Sequence, residues 1–398
     1  MFSVENFYYV LYTHLLAPSK FIDLLFHPFG STRTEDLRRH LFSDLDRQSI
    51  QDSKKYLLFY DQEPLIPGSV ADITAYLKRR IVNRPGRQLI LANSEHSDFK
   101  NQVCETYNFI DFYYFFHGFA ALDWYRDLKY LKNTNHKFDK SFISLNRLCT
   151  KERSYRLTLV SEIVERGLLD KGHVSLKLFD NNENILKGEL FDPNSLLSKE
   201  AKIKVFKQLN KIQNNLTLDM DDVPGAASAN MGFNEHKLLQ SGLWNIVTET
   251  VFYHKKLHLT EKIFKPIAVQ RPFILVAAPG NLAYLKSYGF KTFDRWIDES
   301  YDLEEDDDKR IQMVVDQIEK LSSLSWDDTL SMYEEMKEVL EFNFDHFYGN
   351  FKSIIVDELV NNFESCVHQW NTKNPNEPID PIDRSLYDFT KIKKMLSS

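Results

Sequence analysis

Short apolar runs alternate with longer amphipathic stretches through the first 300 residues of this chain. In the first part, the apolar runs lie at residues 56–60, 88–92 and 112–116, and polar residues follow each of them. Alternation of this kind is typical of βαβ units with a parallel sheet. We therefore predict three strands whose carboxyl ends meet polar side chains, which is where open α/β sheets bind ligands.

A second series of the same kind follows residues 127–140, which are rich in Lys and Asn and which we interpret as a linker. Its strands are predicted at residues 141–145, 173–179, 244–252 and 272–277. Apolar residues at helical spacing, ended by Gly167, predict a helix between the first two strands. A short helix is predicted from Glu261, because Pro266 would cost a helix interior about 3 kcal/mol.

Beyond residue 298 the pattern becomes helical over residues 311–321, 327–346 and 351–370. The acidic run at residues 304–308 fits a helix start, since carboxylates suit the N-terminal dipole. A chain of 398 residues also exceeds the size at which one core stops growing. We expect an α/β protein with Rossmann-like domains at residues 1–135 and 138–300, and a helical tail at 301–398 that packs across both.

Composition narrows the class of protein. Hydrophobic residues make up 43% of the chain and aromatic residues 14%, which is typical of a globular protein. The cysteines Cys104, Cys149 and Cys366 lie far apart without metal-ligand spacing, so we expect them to be reduced and buried. Because the chain lacks a long apolar run and its opening residues lack a basic segment, we expect a cytoplasmic protein without a membrane span.

The charge distribution bears on nucleic-acid binding. The net charge is −7, while residues 1–136 hold 16 Lys and Arg and 16 Asp and Glu, so this part is neutral. A nucleic-acid partner usually leaves a basic footprint. The candidate footprint is one cluster, which consists of Lys78, Arg79, Arg80, Arg84 and Arg87. It fits either a phosphate contact or a solvated helix end.

The most informative motif is Thr260-Glu261-Lys262, at the start of the predicted short helix. Thr260 is suited to cap that helix, which would leave amide groups beside the Lys262 ammonium. A helix start with a lysine on its first turn is suited to bind a diphosphate, and the Glu261 carboxylate is able to accept both hydroxyls of a ribose. The alternative is an exposed helix start without a function.

This motif, with the aromatic residue, helix, Pro-bearing strand and Ala-Pro-Gly at 278–280 that follow it, resembles the donor-binding segment of the α1,3-fucosyltransferases. More loosely, it is similar to exostosin-type enzymes of the GT-B fold. The resemblance covers residues 140–300 and implies two Rossmann-like domains facing a central cleft. It also implies that Glu261 holds the ribose of a nucleotide sugar and that Lys262 holds its phosphate.

The same resemblance assigns further donor-binding residues. Glu249 matches the acidic residue of the family's preceding strand, and Thr260 precedes the Glu-Lys pair. Residues 143–147 are similar to a strand-to-loop element whose basic residue meets the diphosphate, which implies that role for Arg147. Other basic residues compete for it, namely Lys151, Arg153 and Arg156. The family's aromatic-Glu-Asn triplet is not present at residues 248–250, so the nucleobase stays open.

An inverting transferase also needs a base that takes a proton from the acceptor hydroxyl. We predict Glu63, because it follows an apolar run and its Glu-Pro pair is similar to an element of the fucosyltransferases. A simple turn is the alternative for this segment. The competing candidates for the base are Asp61, Glu95, His96 and His117. His117 is also a candidate for contact with the donor from the facing domain.

Together these features imply a Leloir glycosyltransferase that moves a sugar from a nucleoside-diphosphate sugar without a metal or other cofactor. The acceptor is either a glycan, including a lipid-linked saccharide, or hydroxymethylated DNA, whose base must leave the stack. A metal-dependent GT-A enzyme would use the acidic triplet at residues 219–222. A non-catalytic nucleotide-sugar-binding protein is the remaining alternative.

Overall fold

The computed structural model describes residues 23–24, 55–60, 64–65, 88–132, 137–180, 183–210, 212, 216, 233–376 and 378. They belong to two compact units, one of Met1–Asp123 with Asn350–Ser398 and one of Trp124–Gly349. The predicted domain limits stay predictions. Asp61, Glu63, the basic cluster at 78–87 and the acidic triplet at 219–222 lie outside the described residues.

The secondary structure of the described residues alternates between strands and helices. The strands are β1 Asp23–Leu24, β2 Lys55–Tyr60, β3 Gln88–Asn93, β4 Ile110–Tyr113, β5 Lys140–Ser144, β6 Gly172–Val174, β7 Phe179–Asp180, β8 Glu183–Asn184, β9 Gly242–Thr248 and β10 Phe273–Val276. The α-helices are α1 Asp98–Thr106, α2 Phe116–Trp124, α3 Tyr155–Glu165, α4 Ile185–Phe191, α5 Lys199–Leu209, α6 Phe233–Ser241, α7 Phe264–Ala268, α8 Asn281–Ser287, α9 Asp307–Ser322, α10 Trp326–Tyr348 and α11 Phe351–Lys373.

The first unit contains a parallel sheet in the order β1-β2-β3-β4. Helix α11 packs on β4, where the Phe363 ring lies 6.0 Å from the Phe112 ring and Asn362 donates to the Tyr113 carbonyl at 3.1 Å. The strands predicted at 56–60 and 88–92 are confirmed. The strand predicted at 112–116 is displaced: β4 ends at Tyr113, and α2 begins at Phe116.

The second unit contains another parallel sheet, in the order β10-β9-β5-β6. The chain places β6 on one side of β5, and then β9 and β10 on the other side. The strand order therefore reverses between β5 and β9, and such a switch point opens a crevice at the carboxyl ends of the strands. Strands β5 and β9 approach closely, since a Cβ atom added at Gly242 would lie 2.7 Å from the carbonyl carbon of Phe142.

Two predicted strands of this unit are shorter than expected. The strand predicted at 244–252 ends at Thr248, and the strand predicted at 173–179 pairs with β5 only as far as Val174. The predicted α/β class with parallel strands is confirmed, as are the helix that ends before Gly167 and the three helices after residue 306. Asp306 caps α9 by accepting from the Lys309 amide at 2.8 Å, as the acidic run predicted.

The cysteines Cys104, Cys149 and Cys366 are free and buried, which confirms that prediction. Burial raises the pKa of the Cys104 thiol to about 12 and that of Cys149 to about 11. Within the described part of the chain, no helix combines the length and apolar character that a membrane crossing needs.

Candidate functional site

The carboxyl ends of the two central strands of the second sheet, β5 and β9, lie side by side at its switch point. We call the region around these strand ends the switch-point edge. It consists of the connection from β5 to α3, residues 145–154, and the segment from the end of β9 to Ile263, residues 249–263. The donor residues predicted from the sequence, apart from His117, all lie in these two segments. The fold therefore brings Arg147 and Lys262 to one edge of one sheet.

Glu249 directly follows β9 and is completely buried. Its carboxylate accepts hydrogen bonds from the Thr260 amide at 3.1 Å, the Thr260 hydroxyl at 2.5 Å and the Thr250 amide at 3.3 Å. A buried carboxylate is stabilised by donors of this kind, because they replace the water it has lost. Glu249 thus fastens the cap residue of the next helix to the end of β9.

Thr260 caps the helix start as predicted. Its extended backbone, with φ −107°, precedes a 3-10 turn Glu261–Ile263 that continues into α7. The hydroxyl of Thr260 accepts from the Lys262 amide at 3.4 Å and from the Lys262 ammonium at 3.0 Å. Helix α7 has only five residues, as we predicted from the presence of Pro266.

The Lys262 ammonium lies among oxygens at the mouth of this segment. Besides Thr260, it contacts the Thr250 hydroxyl at 3.4 Å and the Glu261 carboxylate at 3.3 Å. Its side chain is 28% exposed, whereas that of Glu261 is 4% exposed. A partly exposed ammonium held in place by neutral hydroxyls is available to an anion, while the carboxylate beside it favours a ligand that also brings hydroxyl groups.

The basic residues that competed for the diphosphate differ in environment. Arg147 is exposed on the loop after β5. Arg156 is buried, and its guanidinium donates to the carbonyls of Leu148 at 2.9 Å, Thr248 at 2.8 Å and Glu249 at 3.3 Å. Arg156 therefore ties the loop after β5 to the end of β9, whereas Arg147 is exposed and stays a candidate for the diphosphate.

An aromatic stack supports the end of β9 from behind. The Arg310 guanidinium lies 4.1 Å from the Phe252 ring, and that ring stacks on Tyr155 at 4.2 Å with an interplanar angle of 13°. Arg310 also donates to the Phe252 carbonyl at 2.9 Å, and the Tyr155 hydroxyl donates to the Glu249 carbonyl at 2.6 Å. These contacts fix the backbone from which Glu249 projects.

Backbone strain is found at the same edge. Lys151 has φ 53° and His254 has φ 84°, both in the left-handed region that non-glycine residues seldom adopt. One lies in the connection after β5 and the other in the segment after β9. The other two described non-glycine residues with positive φ, Asn108 and Gln270, lie outside these segments, so strain alone does not mark the site.

The candidate bases of the first unit lie after β3. Glu95 is completely buried, and its carboxylate accepts from the Leu65 amide at 2.7 Å and the Ser97 hydroxyl at 2.5 Å. It thereby holds the backbone of Leu65 against the end of β3. Glu95 is buried and hydrogen-bonded, and its role as a base stays a prediction.

His96 is exposed at its edge and stacks on the Tyr113 ring at 3.9 Å. Loss of water against that ring, together with the nearby Lys100 ammonium, lowers the pKa of His96 to about 4. The imidazole is therefore neutral at pH 7, but so low a pKa makes it a weak base.

The sequence pattern placed His117 directly after a strand, but the structure places it in a helix. It is buried in the first turn of α2, with its ring edge-on to Phe116 at 5.2 Å. The continuous apolar run conceals the end of β4, because neither periodicity nor a turn residue marks it. Donor contact by His117 stays a prediction.

Sequence reasoning missed the residues that support the site from a distance. The sequence pattern around these residues is that of ordinary core or helix positions, and it does not show that their side chains contact one another. They are Tyr155, Phe252 and Arg310. The switch point itself was also missed, although the order strand-helix-strand left it as one of the few possible arrangements.

No protein-family model, curated protein or solved structure matches the chain. Among the residues that the structure describes, no group of three or more His, Cys, Asp and Glu side chains is placed to hold a metal ion. The function is therefore inferred from the chemistry of the switch-point edge.

Proposed function

We propose that this chain is a nucleotide-sugar-dependent glycosyltransferase of the GT-B type, with its donor site at the switch-point edge. The observation that supports it most is the pairing of a partly exposed Lys262 ammonium with a buried Glu261 carboxylate 3.3 Å away. A nucleoside diphosphate offers anionic oxygens to the first group and ribose hydroxyls to the second. Arg147, on the neighbouring loop, is the second cation.

The reaction assigned to this site is the displacement of a nucleoside diphosphate by an acceptor hydroxyl. The acceptor oxygen bonds to the anomeric carbon, the bond from that carbon to the phosphate oxygen breaks, and the hydroxyl proton passes to a base. Negative charge grows on the departing diphosphate, and fixed cations that meet it lower the barrier. Lys262 and Arg147 have this role, with Glu63 as the base and a glycan as the acceptor.

Isothermal titration with UDP, GDP, their monophosphates and pyrophosphate, in the presence of chelator, tests the donor site. We expect a nucleoside diphosphate to bind, and Lys262→Ala to weaken its binding about 10- to 100-fold, as for a lost charged hydrogen bond of about 1.5–3 kcal/mol. Lys265→Ala is the matched control, because Lys265 is half-buried on the same short element. Wild-type chain that binds no diphosphate, or Lys262→Ala that binds as wild type does, would contradict the proposal.

Turnover tests the base separately. Glu63→Gln keeps the shape of the side chain but cannot accept the proton, so we expect transfer to fall by ~10² to 10⁴ with unchanged nucleotide binding. His96→Gln is the comparison, since His96 is the exposed competitor after β3. Near-normal transfer by Glu63→Gln, with a loss in His96→Gln, would assign the base to His96.

A further inference from the structure

In the described structure, the carboxylate of Glu249 binds Thr250 and Thr260. Glu249 is completely buried, and each of its oxygens is engaged by Thr250 or Thr260. The resemblance to fucosyltransferases implied a donor contact for this residue, but the geometry directs its carboxylate at the cap of the next helix. Its influence on a ligand therefore passes through Thr260 and Thr250, whose hydroxyls contact the Lys262 ammonium at 3.0 and 3.4 Å, and Thr260 is the shorter of the two links.

The direction of the hydrogen bonds at Thr260 follows from the donors available. Both nitrogens of Lys262 that reach the Thr260 hydroxyl oxygen, the amide at 3.4 Å and the ammonium at 3.0 Å, are able only to donate. The single proton of that hydroxyl must then go to the Glu249 carboxylate, 2.5 Å away. The carboxylate thus turns the lone pairs of Thr260 toward Lys262.

We propose that Glu249 is a positioning residue, which orients the Thr260 hydroxyl as an acceptor and so holds the Lys262 ammonium where it meets a diphosphate. The inference rests on the proposed function in one respect, that Lys262 binds the anion. It adds a cause for the position of Lys262, whose other contacts are the Thr250 hydroxyl at 3.4 Å and the Glu261 carboxylate at 3.3 Å.

Substitution by glutamine disturbs this arrangement in either orientation of the amide. All three groups around the Glu249 carboxylate are donors, so the NH₂ group of a glutamine would face at least one of them. If the NH₂ group faces the Thr260 hydroxyl, that hydroxyl rotates to accept from it, which leaves one lone pair for the two nitrogens of Lys262. If it faces the Thr260 amide, the helix cap is pushed away.

The matched pair Thr260→Ser and Thr260→Val isolates the hydroxyl. Serine keeps the hydroxyl, whereas valine keeps the branched shape and removes the hydroxyl. Pyrophosphate is the probe, because it has no ribose for Glu261. By titration we expect Thr260→Val and Glu249→Gln to weaken pyrophosphate binding about 5- to 10-fold, and Thr260→Ser to bind within about twofold of wild type.

Asp302→Asn is the control for loss of a buried carboxylate, since Asp302 lies at the start of α8 and contacts neither Thr260 nor Lys262 in the described structure. We expect it to bind pyrophosphate as wild type does. A double-mutant cycle of Thr260 and Lys262 distinguishes a specific coupling between these residues from a general destabilisation of the fold. In a Lys262→Met background, Thr260→Val should cause no further loss.

Three results would overturn the inference. If Thr260→Val and Glu249→Gln bind pyrophosphate as wild type does while Lys262→Ala does not, Glu249 does not position Lys262, and the donor site stands. If Thr260→Val weakens binding equally with and without Lys262, the effect is a general one on the fold. If wild type and Lys262→Ala bind no diphosphate at all, the proposed function itself fails.

Discussion

Two of the helices that begin at the carboxyl ends of the second sheet's strands, those after β9 and β10, each have a buried carboxylate behind the helix start. After β9, the start at Thr260 is backed by Glu249; after β10, the start at Gly280 is backed by Asp302. Both carboxylates accept hydrogen bonds from backbone amides. The two starts nevertheless leave different groups for a ligand.

Asp302 binds the amides of α8 itself. Both of its carboxylate oxygens accept from the Leu282 amide, at 3.2 and 3.1 Å, and its carbonyl accepts from the Gly280 amide at 2.8 Å. The carboxylate therefore occupies the place where a helix start binds an external anion. This helix start is closed by a residue of the chain.

Glu249 is separated from the amides of its helix start by one residue, Thr260. It binds the cap residue Thr260 instead of the amides beyond it, and the side chain that projects from that helix start is the Lys262 ammonium. In this sheet, a carboxylate that binds the helix amides directly closes the helix start, whereas one that binds the cap residue leaves a cation presented there.

The largest effect that follows concerns Asp302 and pH. Burial, partly offset by the amides of Leu282 and Ala283, raises the pKa of Asp302 to about 6. An unfolded carboxyl titrates near 3.9, so the folded chain holds the proton more tightly, and the stabilisation is complete below about pH 4 and lost as pH rises through about 6. The amount is about 3 kcal/mol, from about two pKa units at 1.36 kcal/mol each.

Asp302→Asn has no such proton, so this contribution should disappear. Urea unfolding of both chains from pH 4 to 8 gives the difference in free energy of unfolding, in which other titrating groups cancel. We expect wild type to lose stability relative to Asp302→Asn as pH rises. A difference independent of pH would show that the carboxylate does not titrate in this range.

The next effect concerns the backbone of the closed helix start. Gly280 has φ 86°, and a Cβ atom there would lie 3.3 Å from a methyl carbon of Leu257. Gly280→Ala should therefore lower the free energy of unfolding by about 1–2 kcal/mol. Gly188→Ala is the matched control, because Gly188 lies in α4 with open space around it, and should stabilise by about 0.5–1 kcal/mol. Equal effects of the two substitutions would contradict this assignment of strain.

Local signals in the sequence predicted one of these helix starts and not the other. Thr260 and Pro266 mark the first within seven residues, and the structure has both the cap and the short helix. The carboxylate that closes the second, Asp302, lies 20 residues beyond Leu282. Contacts at such a separation depend on how the chain folds back, which local patterns do not record.

Strand limits show the same distinction. The apolar run at 173–179 has the composition of a strand, but the ladder between β5 and β6 ends at the pair Ser144 and Val174. A strand continues only as far as a neighbouring strand supplies hydrogen-bonding partners, and β5 ends at Ser144. The length of β6 is thus limited by a neighbour some 30 residues away in sequence. In the same way, the contact of Glu249 with Thr260 depends on the path of the segment between them.

The helix start after β9, which presents Lys262, is the open one. A smaller effect distinguishes the role of Glu261 there from that of Lys262. If Glu261 binds the ribose, Glu261→Ala should weaken nucleoside diphosphate and nucleotide sugar equally, by about 5- to 10-fold, since the ribose does not change during reaction. Pyrophosphate binding should not fall, because the carboxylate that partly neutralises Lys262 is removed. Parallel titrations of the three ligands check this. A loss that includes pyrophosphate would place Glu261 in support of Lys262 instead of at the ribose.

The smallest expected effect is that of Arg147, because its exposure weakens any ion pair it forms. Pairs between exposed charges contribute about 0.2–1 kcal/mol, so Arg147→Ala should weaken nucleoside diphosphate binding by no more than about fivefold at low ionic strength. At 1 M salt, where the Debye length is about 3 Å, the difference from wild type should vanish. The contribution of Lys262, which hydroxyls and Glu261 hold in place, should persist.

Titration of both variants at low and high salt separates these cations, and Arg153→Ala is the control from the same connection after β5. If Arg147→Ala binds as wild type does at low salt while Arg153→Ala does not, the second cation is Arg153. If Lys262→Ala also becomes equal to wild type at high salt, Lys262 behaves as an ordinary exposed charge. The distinction between the two helix starts would then have no consequence for binding, since the open one would hold its cation no better than a loop does.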